Sequence, residues 1–280
     1  MAIDNFIPTI WSESLHHELD KTYVGVANCN REFEGEILEK GNKVRICGVS
    51  PVTVGNYTKN SDISEPATLT DFYTDLEIDR AKYFNFQIDD VDRAQTNPKV
   101  MEAALKGAAD ALATEAERYV YSLAADAQHS IVNSKPTSGN ILSTLIDART
   151  MLSREGVTDP SDIVMEVSPE IAGLILKAKM ETASDNTSAL ENGYIGCIGG
   201  CKIYMSPSIS TFEEDGSVYA NCLVRSRRAI AFAEQLSEIE AYRPEHRFAD
   251  AMKGLHLYGA KTVYPNEMVA VSLCVSHLIS

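Results

Sequence analysis

Hydrophobic residues along the chain change their period several times, and each change marks a different element. Trp11, Leu15 and Leu19 recur every four residues, with Ser12, Glu13, His16 and Glu18 on other faces. That spacing predicts an amphipathic helix over 7–23. Lying before any sheet, it has little core of its own and is expected to rest against something else. From Phe33 the period falls to two. Phe33-Glu34-Gly35-Glu36-Ile37 and Lys43-Val44-Arg45-Ile46 alternate apolar and polar, with Glu39-Lys40-Gly41-Asn42 as a turn between them. From Thr70 to Ile88, Phe72, Leu76, Ile78, Phe84, Phe86 and Ile88 hold even positions, while Asp71, Asp75, Glu77 and Asp79 hold odd ones. This predicts a long strand or bent pair with one buried face and one acidic, solvated face. Residues 49–69 between these regions are polar and carry Pro51, Gly55 and Pro66. They form a long ribbon with little of its own to bury.

A helical period then takes over. Asn97-Pro98 supplies a capping side chain and a proline in the first turn. Met101, Ala104, Leu105, Ala108, Leu112, Ala116, Tyr119 and Leu123 follow as one stripe to about Gln128. About thirty residues at helical rise span roughly 45 Å, against a radius of gyration near ~19 Å for a compact chain of this size. One helix crosses the whole subunit, which suits a plate better than a sphere. The turn-rich stretch 129–139 reads as a loop and a domain boundary. A helix through Ile141, Leu145, Ala148 and Leu152 stops at Gly156, and Ile163–Val167 reads as a buried strand. Ser168-Pro169-Glu170 caps another helix to about Met180, and 181–193 is polar loop. Gly196, Gly199 and Gly200 turn into a strand at Lys202–Ser206. Short strands follow at Leu223-Val224, Ala229–Ala233, Leu255–Val263 and Met268–Val275. The class is α+β.

Composition narrows the function. The chain has 280 residues, 44% apolar, enough for one large core or two modest ones. Its formal charge of −15 argues against a nucleic-acid binder, which needs a cationic face to displace counterions. The same charge suits a protein that lives beside DNA and must not stick to it. No apolar run is long enough to span a membrane, and Met1-Ala2-Ile3-Asp4-Asn5 has no signal-peptide character, so synthesis and residence in a cytoplasm are expected. Cysteines 29, 47, 197, 201, 222 and 274 are scattered and read as reduced thiols. Cys197, Cys201 and Cys222 lack the close pairing of zinc ligands, and no histidine lies between His129 and His246. There is no glycine-flanked serine elbow and no phosphate-loop lysine. Arg225, Arg227 and Arg228, joined by Arg243 and Arg247, suggest a phosphate site or, preferably, ion pairing within or between subunits. No enzyme, metal or cofactor signature emerges.

The order of elements, with several stretches of wording, resembles the Hong Kong 97 capsid fold and, within it, the tailed-phage group that includes the P22 coat protein. The opening Asn5-Phe6-Ile7-Pro8 with Trp11-Ser12 is similar to that group. So are Leu76-Glu77-Ile78-Asp79, Tyr83 to Asp92, and Ala94-Gln95-Thr96-Asn97-Pro98, which match its passage from extended loop into spine helix. Asn192-Gly193-Tyr194-Ile195-Gly196, Gly199 to Ser206 and Tyr258-Gly259-Ala260-Lys261 carry the likeness to the end. Cys201 departs from it, since a bulky aromatic often sits there.

The resemblance implies an N-terminal arm (1–32), an extended β-hairpin loop with flanking strands (33–92), and a peripheral domain with the spine helix (93–139). An axial domain (140–222) and returning C-terminal strands (223–280) complete it. It implies a non-enzymatic major capsid protein of a virion, made in a bacterial cytoplasm. Such a subunit assembles with itself into hexamers and pentamers and encloses double-stranded DNA without specific binding. A separate scaffolding protein and a portal are the other expected partners; no membrane or cofactor is involved. Trp11, Leu15, Tyr57, Lys59, Asn60, Asp62, Arg225, Arg227 and Arg228 are the expected assembly residues. An encapsulin-like bacterial nanocompartment shell and an acidic oligomeric enzyme remain as alternatives.

Overall fold

The computed structural model of the protein describes residues 15, 17–20, 22–32, 43–49, 56, 59, 62, 71–89, 99–181, 194–276 and 278. The predicted strand at 33–37, its turn at 39–42, the Asn97-Pro98 cap, loop residues 182–193 and most of ribbon 49–69 lie outside these. The described strands are β1 (Lys43–Val49), β2 (Asp71–Glu77), β3 (Arg80–Asp89), β4 (His129–Asn133), β5 (Ile163–Val167) and β6 (Tyr194–Ile198). They continue with β7 (Cys201–Met205), β8 (Thr211–Glu214), β9 (Ser217–Ser226), β10 (Ile230–Tyr242), β11 (Ala249–Thr262) and β12 (Met268–Cys274). Helices α1 (Lys99–Ser122), α2 (Ile141–Arg154) and α3 (Pro169–Glu181) are interspersed, and Leu15, residues 17–20 and Thr22 belong to a helix in the arm.

Two-residue alternation builds the ribbon base. β1 and β2 pair antiparallel, with Lys43 opposite Glu77 and Val49 opposite Asp71. Val44, Ile46, Leu76 and Ile78 point inward onto Ala231, Ala233 and Leu257. Lys43–Glu77 and Arg45–Asp75 ion pairs lie on the solvent side. After a break at Ile78-Asp79 the chain resumes as β3, which joins another sheet in the order β10-β11-β3. The bent pair expected from the parity of 70–88 is therefore what forms. The bend presses on β11: a Cβ on Gly259 would stand 2.1 Å from the Glu77 carbonyl oxygen. Only glycine permits that approach.

Helix α1 shares its core with this sheet. Leu105, Ala109, Leu112, Ala113, Ala116 and Val120 pack with Phe232, Met252, Tyr258 and Ala260. The stripe is rotated from the sequence reading: Ala104 and Ala108 are half-buried, whereas Ala109 and Ala113 are fully covered. Tyr119 and Leu123 flank the core and bias a periodicity count toward their own side. The α-helix also ends earlier than Gln128, passing at Leu123 into a 3-10 turn that closes at Asp126. The reason is capture by a sheet. Gln128 N–H donates to Pro265 O at 3.0 Å, and His129–Asn133, expected as loop, pairs parallel with β12.

The second core is a sheet in the order β4-β12-β9-β5-β7-β6, with β8 added beside β9. Helices α2 and α3 pack against it through Ile141, Leu145, Leu152, Ile171 and Ile175. β5 and β12 are buried at every position, as central strands covered on both faces must be. Gly156 ends α2 at φ 97°, and Gly199 and Gly200 form the β6–β7 turn, as their spacing predicts. The Ser168 cap needs correction. Its carbonyl accepts Ala172 N–H, but its buried hydroxyl has no hydrogen-bond partner among the described residues.

The rotated stripe makes a test. Ala109→Leu should overpack the α1 seam and destabilise the subunit by about 1–3 kcal/mol, and half-buried Ala108→Leu by clearly less. Urea unfolding of the two variants side by side measures the difference. Equal midpoints would show that α1 does not present Ala109 to the core.

Candidate functional site

Residues 22–32 follow the arm helix, whose last described residue is Thr22, and are buried at Tyr23, Gly25, Val26, Asn28 and Cys29, with Ala27 and Glu32 exposed. Beyond Thr22 their repeating structure is a 3-10 turn at Val26–Asn28 and one parallel bridge from Asn30 to Ala231. Yet Leu15, Leu19, Tyr23, Val26 and Cys29 are buried in the α1 core. A buried backbone without a ladder needs side-chain partners. Helix α1 supplies Glu117, 4% exposed. Its Oε1 accepts from Val24 N (2.6 Å), Gly25 N (2.5 Å) and Val26 N (3.3 Å), and its Oε2 from Ser206 Oγ (2.8 Å). Strand β9 supplies Arg225, fully buried, which forks onto Glu166 of β5 at 3.1 and 3.0 Å. The same guanidinium donates to the carbonyls of Asn28 and Gly25, both at 2.9 Å. Donors and acceptors of one short segment are thus satisfied from two separate cores.

The far end is held by Glu234 of β10. Its carboxylate accepts from Tyr23 Oη (2.5 Å) and Arg31 Nη2 (2.6 Å) and meets His256 Nε2 at 2.8 Å. Arg31 also pairs with Asp20 at 3.1 Å. The two ends differ electrostatically. Burial pushes the Glu117 carboxyl up, against the pull of Ser206 and the three amides. Burial raises Glu166 as well, with Arg225 opposing it. Burial alone would lower Arg225, but Cys29 and Glu166 outweigh it and hold the guanidinium above its ordinary value. Burial pushes the Cys29 thiol up to about 11. At Glu234 burial is outweighed by His256, Tyr23 and Arg31, and the carboxyl sits below its ordinary value.

The expected assembly residues separate. Leu15 is 0% exposed in the subunit's own core, and so is Arg225 in the Glu166 fork, so neither offers any surface to a neighbour. The arm helix, expected to rest elsewhere, rests at home from Leu15 onward because α1 and β10 present a matching apolar trough. Arg228 is exposed, pairs with Glu267 and stands over Tyr264 at 5.4 Å. Arg243 pairs with Asp250 at 3.2 Å. Arg227, Lys59 and Asp62 are exposed. Trp11, Tyr57 and Asn60 lie outside the described residues. The arginines do not form one patch. Glu117, Glu166 and Glu234 were missed by sequence reasoning; only Glu166 stands as a lone carboxylate within an apolar run, while Glu117 lies between Glu115 and Arg118 and Glu234 ends a run before Gln235.

A cleft of about 310 Å³ opens between the Gly156–Asp162 loop and the Ser226–Arg228 corner. Asp159 there accepts from Ser161 N and Oγ at 2.9 and 2.8 Å, bonds that hold its carboxyl below the ordinary range. Ser226 at the corner of the cleft is 1% exposed and donates to Glu267 Oε2 at 2.5 Å, the carboxylate oxygen that Arg228 Nε also meets at 2.8 Å. Cys29, Cys197, Cys201, Cys222 and Cys274 are free thiols, and no group of three metal-ligating side chains occurs among the described residues.

No family model and no curated protein matches the chain. Solved structures do. A Mycobacterium phage Che8 structure is 27% identical, with 89% of this chain and 90% of that one covered at a TM-score of 0.70. The capsid structure of Cyanophage P-SCSP1u is 14% identical, with 84% of each chain covered and a TM-score of 0.66. The chain has the phage capsid fold. A virus-like particle from Pyrococcus furiosus, 10% identical with 92% and 96% covered, has the same capsid-type fold at a lower TM-score of 0.54. In this fold the buried junction joins two cores.

The opposed shifts predict opposed pH slopes. Glu234 is depressed below the ~4.3 of an unfolded glutamate, so its stabilisation is present above that pH and lost as pH falls through the folded value. Glu117 is raised, so its folded form takes up a proton sooner and gains stability as pH falls. Melting temperatures from pH 7 to 3 should show a shallower acid loss for Glu234→Gln and a steeper one for Glu117→Gln. Parallel curves for both variants would refute these assignments.

Proposed function

We propose that this chain is a major capsid protein, the subunit that builds an icosahedral phage head from hexamers and pentamers of itself. The observation that carries the reading is the capsid fold shared over almost the whole of both chains. The finer plan is Hong Kong 97-like. Residues 1–32 are the arm, 33–92 the extended loop and its strands, 93–139 the peripheral domain, 140–222 the axial domain, and 223–280 the strands that return to both. A repeated shell is held by many modest contacts between near-equivalent copies. The subunit shows the economy this needs: two buried cores, and a ribbon base whose outer face is charged rather than apolar.

Lys59, Asp62 and Arg227 are exposed and suit contacts with neighbours; Trp11, Tyr57 and Asn60 belong to the same proposal through their positions in arm and ribbon. The formal charge of −15 fits a container that encloses double-stranded DNA without adhering to it. A scaffolding protein and a portal are the expected companions, and the reading asks no catalysis of the chain. The nanocompartment reading shares the fold, and the weaker likeness to the Pyrococcus particle gives it no advantage.

Purified protein, alone or with a scaffolding protein from the same phage, should form capsomers, sheets, tubes or closed shells under negative stain. Replacing residues 54–64 with a short glycine-serine turn should leave soluble, cooperatively melting subunits that no longer close shells. Normal shells from that variant would remove the ribbon from assembly. A monomer that persists under all assembly conditions would sink the capsid reading.

A further inference from the structure

Residues 22–32 follow directly on the arm helix, which is buried at Leu15 and Leu19. What fixes that segment fixes the root of the arm, one of the two elements proposed to reach neighbouring subunits. Glu117 gathers three successive amides, those of Val24, Gly25 and Val26, onto one carboxylate oxygen. Arg225 takes the carbonyls of Gly25 and Asn28 from the other side. Asn28 Nδ2 closes the turn on Val24 O at 2.9 Å. A Cβ on Gly25 would stand 2.7 Å from Tyr121 Oη, so the segment also passes too close to α1 for any side chain. Asn30 then exchanges hydrogen bonds with β10, donating to Ile230 O and accepting from Phe232 N at 2.9 Å each.

Stability alone is a poor reason for this arrangement. A fully buried ion pair such as Arg225–Glu166 is commonly no more stabilising than apolar residues of the same volume, and its best-attested use is to specify one geometry. Apolar packing lets a segment slide or rotate, whereas five directional bonds to backbone atoms do not. From this we infer that Glu117 and Arg225 are positioning residues for assembly: they lock residues 24–28 so that the arm is rooted at one place and angle on the subunit, and thereby set how one subunit meets the next. The inference rests on the capsid reading and adds a device to it.

The test pairs isosteric removal with rescue. Glu166→Leu/Arg225→Met takes away the fork without leaving a lone buried charge, Glu117→Ala takes away the amide acceptor, and Glu117→Gln keeps an acceptor oxygen. Hydrogen exchange and electron microscopy are read on all three beside the wild-type chain. The double variant and Glu117→Ala should melt cooperatively and exchange the amides of 24–28 at least tenfold faster. Their products should be open sheets, spirals or shells of mixed diameter. Glu117→Gln should exchange slowly and close shells of wild-type size. If the double variant fails to fold, Glu117→Ala against Glu117→Gln carries the comparison. Wild-type shells from Glu117→Ala, or mis-closed shells from all variants regardless of exchange rate, would overturn the positioning role. Failure of the wild-type chain to assemble would instead remove the capsid reading beneath it.

Discussion

A polypeptide segment that crosses a protein interior without joining a helix or a sheet must still satisfy every amide and carbonyl it buries. Residues 22–32 present that problem here, and much of the subunit is arranged around its solution. Leu15, Leu19, Tyr23 and Val26 pack over the segment, and the backbone groups that its own turn and the Asn30 bridge leave over are met by side chains. They come from three places: one turn of α1, the paired strands β5 and β9, and the edge of the β10–β11 sheet. The long helix, the mixed sheet and the three-stranded sheet therefore meet at one strip of backbone. The packing of each is constrained by where its carboxylate or guanidinium must stand.

This accounts for several features that look unfavourable alone. Glu166 is a carboxylate in a strand buried at every position, and Glu117 is another on the inner face of a helix. Either would be expelled from an apolar core if it lacked hydrogen bonds. Glu117 instead stands in for part of a missing backbone ladder, and Glu166 holds the Arg225 guanidinium that does the same. Small residues complete the arrangement, since Ala113 and Ala116 beside Glu117 leave the segment room to lie against α1. The opposite pKa directions of Glu117 and Glu234 follow from the same geometry. Glu117 is met by neutral hydrogen-bond donors, so burial prevails. Glu234 faces Arg31 and His256 as well as Tyr23, and these outweigh burial.

Periodicity along the chain carried the skeleton well. The bend between β2 and β3, the crossing helix, α2, α3 and the buried strand β5 are legible because each repeats one short rule over enough residues to be counted. β4 was not legible: five residues next to a turn-rich stretch carry too little alternation, and a distant parallel partner, β12, makes them a strand. The inner face of α1 was misplaced by about one position because a helix with alanines on two adjacent stripes has no sharp apolar edge. The junction was invisible for a different reason. Its logic is satisfaction of backbone groups in another part of the chain, which no local pattern encodes. The one trace it leaves is a single carboxylate where the local rule asks for an apolar residue, as in Ile163-Val164-Met165-Glu166-Val167. Arg225 was expected beside Arg227 and Arg228 as an assembly residue; the ion pairing expected of the cluster is made, but inside the subunit with Glu166, because the strand turns the side chain inward.

The contrast between the anchor of the ribbon and the anchor of the arm shows how the subunit divides its labour. At its base the ribbon is held by apolar burial of Val44, Ile46, Leu76 and Ile78, with the close passage at Gly259 beneath it. That attachment resists removal yet tolerates small shifts, because dispersion and burial vary slowly with position. At the arm root the attachment is polar and directional, and a displacement of one ångström breaks several hydrogen bonds at once. A repeated shell needs both properties. In the proposed shell the extended elements adapt to unlike neighbours, while the arm starts from the same place on every subunit. Adaptable contact belongs where apolar surface is broad, and fixed direction belongs where backbone atoms are gripped one by one.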